Sequence, residues 1–448
     1  MTLSIDSIRA CFEGVVPAVM ATCDLDGTPN VSSLSQIQYV DASHIALSYQ
    51  FFNKTRQNIL DNPRATLQVI DPQTGAQYRL LLHYLRTETA GPLFESMKVK
   101  LAGIASHFGM EGVFRLLGSD VYRVLSVERV PGVPSAPPQQ RPNLLAALRS
   151  TSERMARHCE LDRLLDEFLA CLEEHFDISH AMVLIHDPAR EKLYTVASRG
   201  YEASGVGSEI ALGEGVIGVA ARERTPIRIS HMAAEYAYTR AMRDNARDGD
   251  PAAALRTEIP FPGLAEPRSQ MAVPIVAGPH LVGVLYVESP RELRFTYDDE
   301  DALVGLCTLL GMTSHVLQAT AEQSADPPAE PVPAPRQHGD AAVIRHFAEN
   351  DSVFVDDTYL IKGVAGSVFV TLLRDVLDKG RVEFTNRELR LDPRIRLPDV
   401  SDNLEARLIL LSRRLEERAP WVRIEKTGRG RFRLCLGRPV RLVDGSAA

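Results

Sequence analysis

The chain has 448 residues, 45% of them hydrophobic and 24% charged, with a formal net charge of −8. That length exceeds one ordinary core, so two to four domains are expected, and the composition is that of a soluble globular protein. No apolar run of about 18 residues, no signal-peptide core in "MTLSIDSIRACFEG" and no CxxC or metal spacing among the six cysteines leave a reduced cytoplasm as the expected setting. The first elements are short strands. "PAVMATCDLDGTPNVSSLSQIQYV" gives two runs, Ala18 to Cys23 and Val31 to Val40, around an Asp26-Gly27 hairpin turn. "HIALSYQ" is a third strand, Lys54 to Leu60 a helix, "ATLQVID" and "RLLLHYLRTET" two more strands. "GPLFESMKVKLAGIASHFG" is helical, and "DVYRVLSVERV" closes the set. A small antiparallel sheet with a short helix after its third strand predicts a barrel.

Within this part, "FFNKTRQNILDNPRATLQV" places Asn53, Lys54 and Thr55 at a helix start. A helix start exposes unpaired N–H groups and the positive end of the dipole, so these donors read either as a phosphate seat or as a capped, solvated basic turn. The stretches "PAVMATCDLDGTPNVSSLS" and "SYQFFNKTRQNILDNPRATLQV" resemble the pyridoxamine-phosphate-oxidase-like FMN-binding split barrels. The resemblance implies FMN as cofactor, its phosphate at Lys54 and Thr55 with Asn53 and Asn58 as helpers. It implies ring contacts at Ser33, Leu34 and Gln36, with Ser48 lining the same groove. The basic set that would hold a second phosphate is missing, so oxidation of a B6 vitamer is not expected. Some relatives bind haem or a deazaflavin, which makes His83 and His107 candidate iron ligands beside the plainer reading of packed histidines.

Two proline-rich breaks, "VPGVPSAPPQQRP" and "SADPPAEPVPAPRQHG", divide the chain. The expected organisation is a barrel over 1–130, a linker over 131–142, a second domain over 143–322, a linker over 323–340 and a third domain over 341–448. In the second domain, Leu161, Leu164, Leu165, Phe168, Leu169 and Leu172 recur at helical spacing. Strand-like "HAMVLIHD" and "KLYTVASRG" follow, then a short helix, two strands and a helix. "GEGVIGVAARERTPIRI" and "MAVPIVAGPHLVGVLYVES" resemble a GAF domain, an α+β sandwich that holds a small molecule or serves dimerisation and signal transmission. The stretch Met232 to Pro267 reads as a lid over an unknown ligand, and a homodimer is the expected state. No bilin-attachment cysteine and no cyclic-nucleotide signature are seen.

The third part holds 20 basic and 17 acidic residues over 340–448, against 30 and 41 in the remainder, a weak pointer to a polyanionic partner. "SVFVTLLRDVLDKG", "TNREL" with a Thr385–Glu388 capping box, and "DNLEARLILLSRRLEER" read as three helices, and "WVRIEKTGRGRFRLCL" as a hairpin. The third helix and hairpin resemble the winged helix-turn-helix output domain of response regulators. That resemblance implies DNA contacts from Arg407, Arg413, Arg414, Lys426, Arg429 and Arg431, with Arg433 nearby. Ile409 and Leu410 depart from it: an exposed apolar pair suits another protein better than base edges. The whole is expected to be a multidomain α+β protein, a flavin-binding sensor-regulator with a transcriptional or protein-contacting output. The alternative is an FMN-dependent oxidoreductase with a regulatory GAF domain.

Overall fold

The computed structural model describes residues 3–12, 16–34, 36–50, 53–107, 116–132, 143–230, 259–323, 340–395, 397, 404–428 and 430–445. A 3-10 turn, Ile5–Phe12, opens the N-terminal part. Then come β1 (Ala18–Cys23), β2 (Pro29–Leu34), β3 (Ile37–Asp41), β4 (His44–Tyr49), α1 (Lys54–Asp61), β5 (Arg64–Ile70), β6 (Gln77–Glu88), α2 (Pro92–His107) and β7 (Gly118–Arg129). The sheet order is β2-β1-β5-β6-β7-β4-β3, antiparallel at every pairing. Gly27 takes φ +84 in the β1–β2 turn, a backbone region that favours glycine. The expected single strand Val31 to Val40 is two strands at opposite sheet edges, β2 on β1 and β3 on β4. Asn53 caps α1 by accepting from the Arg56 N–H at 3.1 Å, and the helix stops before Asn62-Pro63 because proline disfavours a helical predecessor.

The middle part has α3 (Leu144–Met155), α4 (Leu161–Phe176), β8 (His180–Asp187), β9 (Lys192–Arg199), β10 (Glu209–Ala211), α5 (Gly215–Glu223), β11 (Ile227–Ile229), β12 (Ser269–Ala277), β13 (His280–Ser289) and α6 (Tyr297–Gln323). Its sheet runs β10-β9-β8-β13-β12-β11. The Leu161-to-Leu172 stripe is buried within this chain, each such side chain removing apolar surface worth roughly 1.5–3 kcal/mol. Asp177 ends α4 in the left-handed conformation at φ 55. Of Met232 to Pro267, residues 232–258 lie outside the described residues; Phe261 returns edge-on to Tyr286. Cys171 is buried, whereas Cys159 is exposed. Residues Tyr297–Thr320 of α6 are long and apolar enough to cross a membrane, with mean hydropathy 1.4. This corrects the expectation that no such run exists: no Asp, Glu, Lys or Arg falls between Ala302 and Thr320. One face of α6 is nonetheless sandwich core, through Leu303, Leu306, Cys307 and Leu310.

The C-terminal part begins with strands that the sequence patterns left unread: β14 (Ala342–Phe347), β15 (Ser352–Val355) and β16 (Thr358–Ile361). Next are α7 (Gly363–Lys379), β17 (Glu383–Thr385), α8 (Asn386–Leu391), α9 (Leu404–Arg418), β18 (Val422–Gly428), β19 (Arg431–Leu436) and β20 (Val440–Asp444). Sheets β16-β15-β14-β20 and β17-β19-β18 flank the helices. Both halves of the Thr385–Glu388 capping box are present, at 3.1 and 3.2 Å. Ile409 and Leu410, expected at the surface, are 5% and 4% exposed, and Leu410 lies against Gly207 of the middle part. One apolar core therefore runs from α4 and the sandwich into α7 and α9, while the barrel keeps its own core and admits Tyr297 from α6.

Candidate functional site

A cavity of about 280 Å³ opens in the barrel where the ends of β2 and β4 meet the start of α1. Met20, Leu47, Ile59 and Tyr122 form an apolar floor. Ser32, Ser33, Ser48, Gln50, Asn53 and Thr55 supply hydroxyl and amide groups around it. The start of α1 brings the positive end of its dipole to this wall. Thr55 Oγ1 accepts from Asn30 Nδ2 at 2.8 Å and donates to Ser32 Oγ at 3.0 Å, so its position is fixed before any ligand arrives.

Five of the eight barrel residues singled out from sequence line this cavity: Ser33, Leu34, Ser48, Asn53 and Thr55. The other three sit elsewhere. Lys54 points its Nζ to Asp24 Oδ2 at 3.3 Å on the surface. Asn58 is buried and donates to Thr22 Oγ1 at 3.2 Å, tying α1 to β1. Gln36 is 1% exposed, and its backbone oxygen accepts from the Ser48 N–H at 3.2 Å. His83 is half-buried on β6, opposite Arg64 and Arg123, and does not line the cavity; the side chain of His107 lies outside the described residues.

Sequence reasoning missed the cavity's charged wall. Arg56 Nη1 pairs with Asp120 Oδ1 at 2.6 Å and Nη2 donates to Thr87 Oγ1 at 2.9 Å. The guanidinium lies over the Tyr49 ring at 4.4 Å. Burial pushes the Asp120 carboxyl above its ordinary value, against the pull of Thr87 and Arg56. Asp120 reaches the site only because β7 pairs with β4, setting Leu47 opposite Asp120. No local pattern near Lys54 encodes that partner. The wall and floor together suit a ligand with a flat apolar body and a polar or anionic end.

A second polar cluster lies in the sandwich. The single Tyr286 O–H is shared between Gln270 Oε1 at 2.5 Å and Glu288 Oε2 at 3.1 Å, and the Leu264 N–H donates to Glu288 Oε1 at 2.7 Å. Among the described residues no group of three or more His, Cys, Asp or Glu is arranged to hold a metal.

Three of the basic residues singled out in the C-terminal part, Arg407, Arg413 and Lys426, pair with acids of the middle part. Arg407 pairs with Asp187 at 2.8 Å and covers the Tyr194 ring at 4.4 Å. Arg413 pairs with Asp162 and Asp166, each at 2.6 Å. Lys426 pairs with Glu160 at 3.0 Å. Arg414 is buried and donates to the Leu360 carbonyl at 3.0 Å within its own part. Arg431 stands on β19, paired across to Thr385, and Arg433 meets Glu383 at 2.9 Å. Arg429 lies outside the described residues.

Residues 5–108 match the sequence family described as pyridoxamine 5'-phosphate oxidase, and residues 160–313 match the family described as GAF domain. No curated protein matches the chain. Among solved structures, an FMN-binding protein from Syntrophomonas wolfei subsp. wolfei is 14% identical with a TM-score of 0.25, over 29% of this chain and 86% of that one. The GAF domain of an Acinetobacter phosphoenolpyruvate-protein phosphotransferase is 20% identical with a TM-score of 0.31, over 41% and 96%. The free methionine-R-sulfoxide reductase of Neisseria meningitidis is 18% identical with a TM-score of 0.30, over 40% and 91%. The chain is thus a multidomain α+β protein whose N-terminal split-barrel part is of the pyridoxamine 5'-phosphate oxidase type and whose middle part is a GAF domain.

Proposed function

We propose that the chain is a cytoplasmic sensor-regulator whose barrel holds FMN and whose GAF domain connects that signal to a C-terminal output. The observation that carries this is the cavity at the start of α1, with fixed hydroxyls on one wall and an apolar floor. The residues present fit the group: Thr55, Asn53, Ser32 and Ser33 would hold the phosphate, and Met20, Leu47 and Ile59 suit a flat ring system. FMN would supply redox chemistry there, which needs few acid–base groups from the protein. Arg56, braced by Asp120 and Tyr49, keeps a fixed positive charge on the wall. The test is the absorption spectrum of the purified protein, alone and after titration with FMN. Flavin bands or saturable uptake are expected; a haem Soret band, or no uptake at all, would overturn the assignment.

For the output we propose a winged helix that meets duplex DNA. Three helices followed by a hairpin is the plan of that module, and its basic balance contrasts with the acidic remainder. A homodimer is proposed as the working state, through the outer face of α6, where Val304, Met312 and Val316 are exposed. Sedimentation of the full chain as a monomer at micromolar concentration would remove the dimer.

A further inference from the structure

The face of α9 that a groove-binding helix would present is covered by the GAF domain. We propose that the GAF domain and a polyanionic partner compete for this face, so that the arrangement described here is a closed state of the output. The inference rests on the DNA reading of the C-terminal part and adds how that reading is regulated. Four acidic positions around α4 and β8 hold the contact: Asp162 and Asp166 on Arg413, Asp187 on Arg407 and Glu160 on Lys426. Arg413 also donates to the Val196 carbonyl at 3.1 Å. Leu410 seats against Gly207, which holds φ +91, a backbone region where a side chain would be strained, and a Cβ there would meet the Ile259 Cδ1 at 2.6 Å. Lys362 reaches Glu209 at 3.4 Å on the neighbouring edge.

These carboxylates occupy the cations that phosphates would need. A basic helix bound by fixed acids of its own chain cannot also neutralise a duplex backbone, so the two contacts exclude one another. Ion pairs alone do not make the closed state; the apolar seat of Leu410 against Gly207 makes it specific. The GAF domain is also tied to the barrel. Tyr297, at the start of α6, lies between Arg228, at 4.0 Å from its ring, and Arg9, at 4.7 Å, and its hydroxyl accepts from the Tyr39 N–H of the barrel at 3.3 Å.

The test uses the full chain with Asp162→Lys and Asp166→Lys, which set like charge against Arg413. Amide hydrogen exchange across residues 404–418 reads opening, and anisotropy of a labelled duplex at low salt reads binding. Faster exchange in α9 and duplex affinity raised about tenfold or more over wild type are expected. Adding Arg413→Glu to that background should restore slow exchange. Should the double variant not fold, Arg413→Glu alone repels Asp162 and Asp166 from the other side and gives the exchange readout. Unchanged exchange in α9 overturns the closed state. Equal duplex binding by wild type and opened variant overturns the competition and leaves the DNA reading intact. An opened α9 with no duplex binding overturns the DNA reading, and the competition with it.

Discussion

The barrel cavity and the α9 face were both marked by basic residues at helical positions, and the structure treats them in opposite ways. In the cavity the polar groups are held by their neighbours yet still border open space: Thr55 is set by Asn30 and Ser32 and lines the void. On α9 the polar groups are held and no space remains: Arg407 is 5% exposed and closed over by Asp187 and Tyr194. A preorganised site has its donors fixed by second partners and its ligand-facing side free, whereas a docked face has its donors fixed by the very groups that fill that side. Residue type alone does not separate the two cases.

The largest expected effect comes from removing the buried cations. Arg407→Ala leaves Asp187 buried and without its countercharge, which should destabilise the chain by about 3–5 kcal/mol. Arg56→Ala strips Asp120 in the same way, but Asp120 borders the cavity and water can enter, so about 2 kcal/mol is expected. Chemical denaturation of the two variants reads the difference. A cost for Arg56→Ala as large as that for Arg407→Ala would mean that the cavity is as dry as the interface.

Next is ligand retention. Thr55→Val removes a hydroxyl from the cavity wall and should weaken FMN binding by about 1–2 kcal/mol, whereas Lys54→Ala should change it by less than about 1 kcal/mol, because Lys54 points to Asp24 on the surface. Titration of the FMN fluorescence measures both. A larger loss from Lys54→Ala than from Thr55→Val would place the anion seat outside the cavity wall described here.

These outcomes bear on what the sequence could reveal. The hairpin at Gly27, the helix after Asn53, the Leu161 stripe and the Thr385–Glu388 box rest on contacts within a few residues, and local patterns encode them. Asp120 arrives at Arg56 from 64 positions away through the β4–β7 pairing, and Asp162 arrives at Arg413 from 251. Nothing local marks such partners, so the sequence assigns Arg56 no role and points Arg413 at DNA. The split of Val31 to Val40 has the same origin, since the two halves answer to different edges of one sheet. Strands β14 to β16 give a weak local signal, being four to six residues each between the proline-rich break and the stronger helical pattern of α7.

Acid titration separates Asp375 from Asp120 by sign. Arg394, with help from Lys379, holds the Asp375 carboxyl down to about 2. Its contribution is present above the ordinary value near 3.8 and is lost as pH falls through about 2. After solvent screening this amounts to about 1 kcal/mol. Asp120 is shifted upward, so its ionised form is disfavoured by folding and acid does not destabilise the barrel through it. Between pH 4 and 2 the hydrogen-exchange protection around α7 should therefore fall, and Asp375→Asn should flatten that loss. A loss of the same size in Asp375→Asn would show that the acid limb of this part is set by other groups.

The smallest expected effect tests how the docked face is held. Lys426 and Glu160 are half-exposed, with side chains 42% and 53% accessible, and exposed pairs of this kind contribute about 0.2–1 kcal/mol. Arg413 is 17% exposed and meets two carboxylates and a carbonyl. Lys426→Ala should therefore leave the exchange of α9 near that of wild type, while Arg413→Ala should speed it by roughly tenfold, a difference of about 1.4 kcal/mol. Raising salt should remove the small Lys426 effect and leave most of the Arg413 effect, because screening acts on solvated charges more than on enclosed ones. Equal effects from the two variants would mean that α9 is held by general attraction between a basic and an acidic part. Unequal effects would locate the contact at the Arg413 pocket, where α4 supplies both acids from successive turns of one helix.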